Sequence, residues 1–164
     1  DFDVDFSSAK YDIAVRSATT APKGANVIKL MDEDLCLVCS PEMSLQLSSL
    51  EAINQMTLLK HTTRPDLWHV WAEDVGIKLT TENKFGVEHF YMLSQAAASG
   101  MGVALIPRFF IEDELASGKL VIPFDAKFTS PYSYYLLTPK SSNLSLKVQS
   151  FINWLLEIFQ PYRN

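Results

Sequence analysis

Two cysteines, three histidines and six glycines in 164 residues leave few of the groups that metal, redox and phosphate chemistry need. Cys36 and Cys39 form a C-x-x-C, but no second cysteine or histidine pair stands at metal-ligand spacing, so a tetrahedral zinc site is not expected. The pair lies in the β-type run Leu35–Cys39. Strand alternation sends positions i and i+3 to opposite faces, which disfavours a disulfide and predicts two small buried hydrophobes. The Gly100-Met101-Gly102 run follows a predicted helix and precedes a predicted strand, the reverse of a dinucleotide fingerprint. With no G-x-S-x-G elbow, H-E-x-x-H or P-loop, the chain is read as a non-enzyme without metal or cofactor. Fourteen basic residues against nineteen acidic give a net charge of −5 with no basic stripe, so phosphate-backbone binding by this stretch is not expected. No apolar run approaches the roughly 20 residues of a membrane span, and no basic-then-apolar leader opens the chain. The expectation is a cytoplasmic protein without membrane contact.

A hydrophobic content of 48% is enough for a real core. The most informative stretch is Val87–Pro107, read as an apolar helix over Val87–Ser99, a glycine stop at Gly100 and a buried strand over Val103–Ile106. A helix apolar on every face is expected to be buried all round. Its only charges sit at its start, at Glu88 and His89, where unpaired N–H groups and the helix dipole suit a carboxylate or another anion. Further strands are predicted at Ile13–Arg16, Val27–Met31, Leu35–Cys39, Thr57–His61, Lys78–Thr81, Lys119–Ile122 and Tyr134–Thr138. Helices are predicted at Pro41–Gln46, Leu50–Gln55, Pro65–Val75, Arg108–Ser117 and Leu144–Phe159. The last carries a stripe of Leu144, Val148, Phe151, Leu155 and Ile158, expected to pack on a sheet. This alternation predicts an α/β fold with a largely parallel sheet.

The order of several segments is similar to that of one family. Tyr11-Asp12-Ile13-Ala14-Val15-Arg16, Leu37-Val38-Cys39-Ser40-Pro41, Thr57-Leu58-Leu59-Lys60-His61 followed by Trp68-His69-Val70-Trp71, the Ala-Ala-x-x-Gly-x-Gly run, and Gly118-Lys119-Leu120-Val121 through Tyr134–Pro139 occur in succession. Together they resemble the effector-binding domain of LysR-type transcriptional regulators, in the subgroup of the glycine-cleavage and β-lactamase activators. The resemblance implies a two-lobed periplasmic-binding-protein fold of type 2, linked by two crossing strands. It places residues 1–34 and 136–164 in lobe I and 35–135 in lobe II. Lobe I is expected to be incomplete, lacking its first strand, helix and strand. The N-terminal helix-turn-helix that binds DNA in the family is expected to lie outside this chain. Loss of the first elements of lobe I would bare apolar surface and strand edges, predicting self-association.

The family likeness implies a small, carboxylated effector held between the lobes, with dimer or tetramer formation in the intact regulator. The candidate effector contacts are Arg16, Ser17, Thr62, Trp68, Glu88, His89, Phe90 and Tyr134. Arg16 can hold a carboxylate bidentately or bridge to Asp12. His89 can line the pocket or remain solvated, and at a positive helix end the neutral ring is favoured. Phe90 is divided between pocket and core; Trp71 is assigned to core, and Trp68 to the cleft beside the Thr62-Thr63-Arg64 loop. Tyr134 matches the family tyrosine on the return crossing. The alternatives are a solute-binding transport receptor of the same fold and a ligand-free oligomerisation module.

Overall fold

A computed structural model describes residue 6, residues 11–140 and residues 144–162. The elements are β1 (Ala14–Ala18), β2 (Asn26–Val38), α1 (Pro41–Ser44), β3 (Leu58–His61), α2 (Leu67–Asp74), β4 (Lys84–Val87), α3 (Phe90–Ala98), β5 (Val103–Pro107), α4 (Glu112–Ala116), β6 (Phe128–Thr138) and α5 (Leu146–Phe159). Short 3₁₀ turns cover Leu50–Gln55 and Arg108–Phe110. The chain divides into two compact units, residues 1–33 with 131–164, and residues 34–130. That division groups Pro131–Tyr135 with the first unit, where the sequence reading still had the second.

In the second unit, β5 runs antiparallel to β2 and parallel to β3, which in turn pairs in parallel with β4. The parallel strands are joined through α2 and α3, as parallel neighbours require. One core holds Leu35, Leu37, Cys39, Leu58, Val103 and Leu105 with Trp68 and Trp71 of α2. The other holds Val38, Leu59, Ala104 and Ile106 with Phe90, Leu93 and Ala97 of α3. Alternate residues of β2, β3 and β5 in this unit therefore feed opposite cores, so these strands are buried on both faces and read largely as apolar runs, whereas β4 is an exposed edge. Cys39 belongs to the first core, whereas Cys36 packs on the second, as the i, i+3 spacing predicts. Gly100 takes φ +74° just past the end of α3, the left-handed cap its position suggested.

The first unit pairs β1 antiparallel with β6, Ser17 lying opposite Tyr134 and Arg16 opposite Tyr135. Its core centres on Leu30, Leu136 and Ile152, packed by Val148, Leu155, Leu156 and Phe159 of α5.

Five sequence expectations are corrected. Val27–Met31 and Leu35–Cys39 are not separate strands but parts of the 13-residue β2. Lys78–Thr81 is not a strand; the edge strand is Lys84–Val87. Around Lys119–Ile122 only an isolated bridge, Val121 to Cys39, is formed. Helix α3 begins at Phe90 rather than Val87 and leaves Tyr91 and Met92 exposed, so it is not buried all round. On α5 the core stripe is Val148, Ile152, Leu155 and Phe159, while Phe151 and Ile158 lie exposed.

Candidate functional site

Strands β3, β4 and β5 point the same way, so their C-terminal ends, His61, Val87 and Pro107, lie on one edge of the second unit. Ligand sites of open α/β sheets form at that edge. Each strand end leads into a short segment of different character: His61-Thr62-Thr63-Arg64, Val87-Glu88-His89-Phe90 and Pro107-Arg108-Phe109-Phe110. Backbone bonding ties the first two together, because the Thr62 N–H donates to the Val87 carbonyl at 2.9 Å. Gly86 keeps them close, since a Cβ there would meet Thr62 Cγ2 at 3.0 Å.

The ring of Phe90 is the hub. The His61 imidazole lies 4.6 Å from its centroid, the Arg64 guanidinium carbon 4.9 Å above it, and Phe110 stacks at 5.8 Å with 29° between planes. Arg64 is buried, and a cation over an aromatic face with restricted water gains more than at an open surface. The Thr63 hydroxyl and His61 Nδ1 share a hydrogen bond at 3.0 Å, which orients the imidazole. His89 is the N-cap of α3 with extended backbone, and its side chain makes no capping bond. Its carbonyl accepts from the Met92 and Leu93 N–H groups. The start of the helix thus faces this cluster with its positive dipole end and no side-chain acceptor from the cap residue. Glu88 lies before the helix and is exposed, as are Thr62 and His89.

Two predicted contacts are core side chains. Trp68 is 4% exposed, donates its Nε1–H to the Leu59 carbonyl at 3.0 Å and meets Trp71 edge-on at 5.5 Å. Phe90 is 8% exposed beneath its three neighbours, so it supports the cluster and offers little surface to a ligand. Arg16, Ser17 and Tyr134 belong to the first unit. Arg16 stands in mid-strand and is exposed, rather than ending a buried strand. The Tyr134 hydroxyl donates to Oε2 of the fully buried Glu33 at 2.7 Å. His61, Arg64 and Phe110 were not singled out from sequence; their signal was their place at or just after the ends of β3 and β5, which emerges only once those strands are known to be parallel neighbours.

The remaining chemistry is muted. Burial pushes the Cys39 thiol up to about 11. Burial also raises the Cys36 pKa, opposed by a hydrogen bond from Arg108. No group of three or more His, Cys, Asp or Glu side chains able to hold a metal occurs among the described residues. No helix among them is long and apolar enough to cross a membrane.

A two-unit α/β domain with strands shared between its units, and a cluster of cation, imidazole and aromatic rings at the strand ends, is a ligand-binding architecture. The chain belongs to the LysR substrate binding domain family, which matches residues 5–160. It is 30% identical over 156 residues to the HTH-type transcriptional regulator PerR of Escherichia coli K12, covering 92% of this chain and 52% of PerR. It is 32% identical over 159 residues to the transcriptional activator AmpR of Pseudomonas aeruginosa, covering 94% of this chain and 52% of AmpR. The solved effector domain of that AmpR superposes with a TM-score of 0.85 at 30% identity, over 96% of this chain and 76% of that domain. The chain spans about half the length of the curated relatives it matches.

Proposed function

We propose that this chain is the sensing domain of a LysR-type transcription regulator and that it takes a small, carboxylate-bearing effector at the C-terminal ends of β3, β4 and β5. The observation that carries the reading is the convergence of His61, buried Arg64, the Phe90 and Phe110 rings and the uncapped start of α3 at one strand edge. A carboxylate there meets hydrogen-bond donors, a cation and the positive end of a helix dipole. Binding regulates only if the effector favours one of two states of the regulator. The HTH-type designation of PerR, together with its length, supports a DNA-binding helix-turn-helix elsewhere in the intact protein. The likeness to the glycine cleavage system transcriptional activator of Escherichia coli K12 supports membership of the subgroup of glycine-cleavage and β-lactamase activators. An incomplete lobe I belongs to the same proposal, beside the 76% of the AmpR effector domain that this chain covers. Cytoplasmic location and dimer or tetramer formation in the intact regulator complete the proposal.

The test is an amide NMR titration with a panel of small carboxylates, each paired with its uncharged amide. Shifts concentrated at Thr62–Arg64 and Glu88–Tyr91, produced by an acid and not by its amide, are expected. The same spectra read Arg16, Ser17 and Tyr134, proposed contacts from the first unit. If no acid in the panel moves the Thr62–Arg64 and Glu88–Tyr91 signals, the assignment of this edge fails.

A further inference from the structure

The strand-end edge of the second unit carries three phenylalanine rings in a row, and they differ in exposure. Phe90 is buried, and Phe110, 51% exposed, stacks on it at 5.8 Å. Phe109 meets Phe110 in turn at 4.2 Å. Both belong to the 3₁₀ turn Arg108–Phe110, which leaves the sheet directly after β5. The row therefore runs outward from the core and sets a ring half in water. Tyr91, the second residue of α3, is 74% exposed at the same edge. An exposed aromatic residue standing alone needs no explanation. Phe110 does not stand alone, because the Phe90 ring under it also carries the Arg64 guanidinium at 4.9 Å and the His61 imidazole at 4.6 Å. One buried ring thus fixes the spacing between a cation and an exposed aromatic face.

We propose that the effector is an aromatic carboxylic acid, with its carboxylate at Arg64 and the start of α3 and its ring stacked on Phe110. The inference rests on the carboxylate reading of this edge and adds the group attached to the acid. The guanidinium and the Phe110 ring both stand against Phe90, so a small acid with a short chain between carboxylate and ring spans them. Aromatic pairs in offset-stacked or edge-on arrangements gain more than the area they bury. A saturated ring gains only the area, and a methyl group gains less of it. Short hydroxy acids would set a hydroxyl against a ring that returns no hydrogen bond for the water lost.

The test is a titration of the whole chain with phenylacetate, cyclohexylacetate and acetate, followed in amide and aromatic NMR spectra. The three acids share a carboxylate and differ in the group beside it. Phenylacetate is expected to bind about three- to tenfold more tightly than cyclohexylacetate, the scale of one aromatic pair, with acetate weakest. Intermolecular Overhauser contacts are expected between the phenylacetate ring and Phe110. Phe110→Leu, a change at an exposed position, should erase the difference between the two ring acids with unchanged circular dichroism. If cyclohexylacetate binds as tightly as phenylacetate while the Thr62–Arg64 and Glu88–Tyr91 signals still move, the aromatic class is overturned and the carboxylate site stands. Silence of those signals toward all three acids overturns both readings. A ring preference that survives Phe110→Leu overturns the assignment to Phe110.

Discussion

At Gly102 an added methyl group would sit 2.3 Å from the Thr57 carbonyl oxygen, which already accepts the Val103 N–H at 3.0 Å. Backbone cannot yield as a flexible side-chain tip can, and overpacking of this kind costs about 1–3 kcal/mol or more. Gly102→Ala is therefore expected to lower the urea midpoint by at least that equivalent; an unchanged midpoint would show that the β3–β5 approach is looser than described. The two cysteines give a second residue-scale expectation. A thiolate, not a thiol, attacks alkylating agents. Cys39 is fully buried with its thiol held near 11, whereas Cys36 is only partly buried and accompanied by Arg108. Mass spectrometry after iodoacetamide at pH 8 should find Cys36 modified first, Cys39 only in urea, and no Cys36–Cys39 bridge after mild oxidation. Modification of Cys39 at the pace of Cys36 in the native protein would contradict the burial.

Among elements, those with a clear hydrophobic signature were legible: β5 is an unbroken apolar run, and α3 ends at the glycine that marks it. β2 was not, because Asp32, Glu33 and Asp34 interrupt its apolar pattern and suggest a break. The structure keeps the strand intact by giving each carboxylate a hydroxyl donor from β6: Ser133 to Asp32 at 2.7 Å, Tyr134 to Glu33 at 2.7 Å and Thr129 to Asp34 at 2.6 Å. Such donors offset the cost of placing charge in a strand, and they are invisible without the partner strand. β4 was missed for a related reason. Lys84-Phe85-Gly86 is exposed, and the segment is a strand only because β3 supplies its ladder. α5 failed differently: with apolar residues around much of its circumference, periodicity alone allowed either stripe to be the core. Docking onto β6 and β2 selects the one centred on Ile152.

Across the whole molecule, the family was legible from the succession of motifs, because order along a chain survives when each motif alone is weak. The candidate site was legible only in part: the sequence pointed to the start of α3 through Glu88 and His89, but His61, Arg64 and Phe110 meet only through strand pairing. The two units also differ in how well each is protected. In the second, all five β5 residues are buried, and β3 and β2 flank it on both sides. In the first, β1 leaves Val15 and Arg16 exposed, and α5 buries only Ile152 below the surface. Local opening follows such differences in burial and edge pairing. Hydrogen exchange at low protein concentration should therefore find β5 and β3 amides slowest, with β1 and α5 exchanging by smaller openings; equal protection of α5 and β5 would refute this ordering.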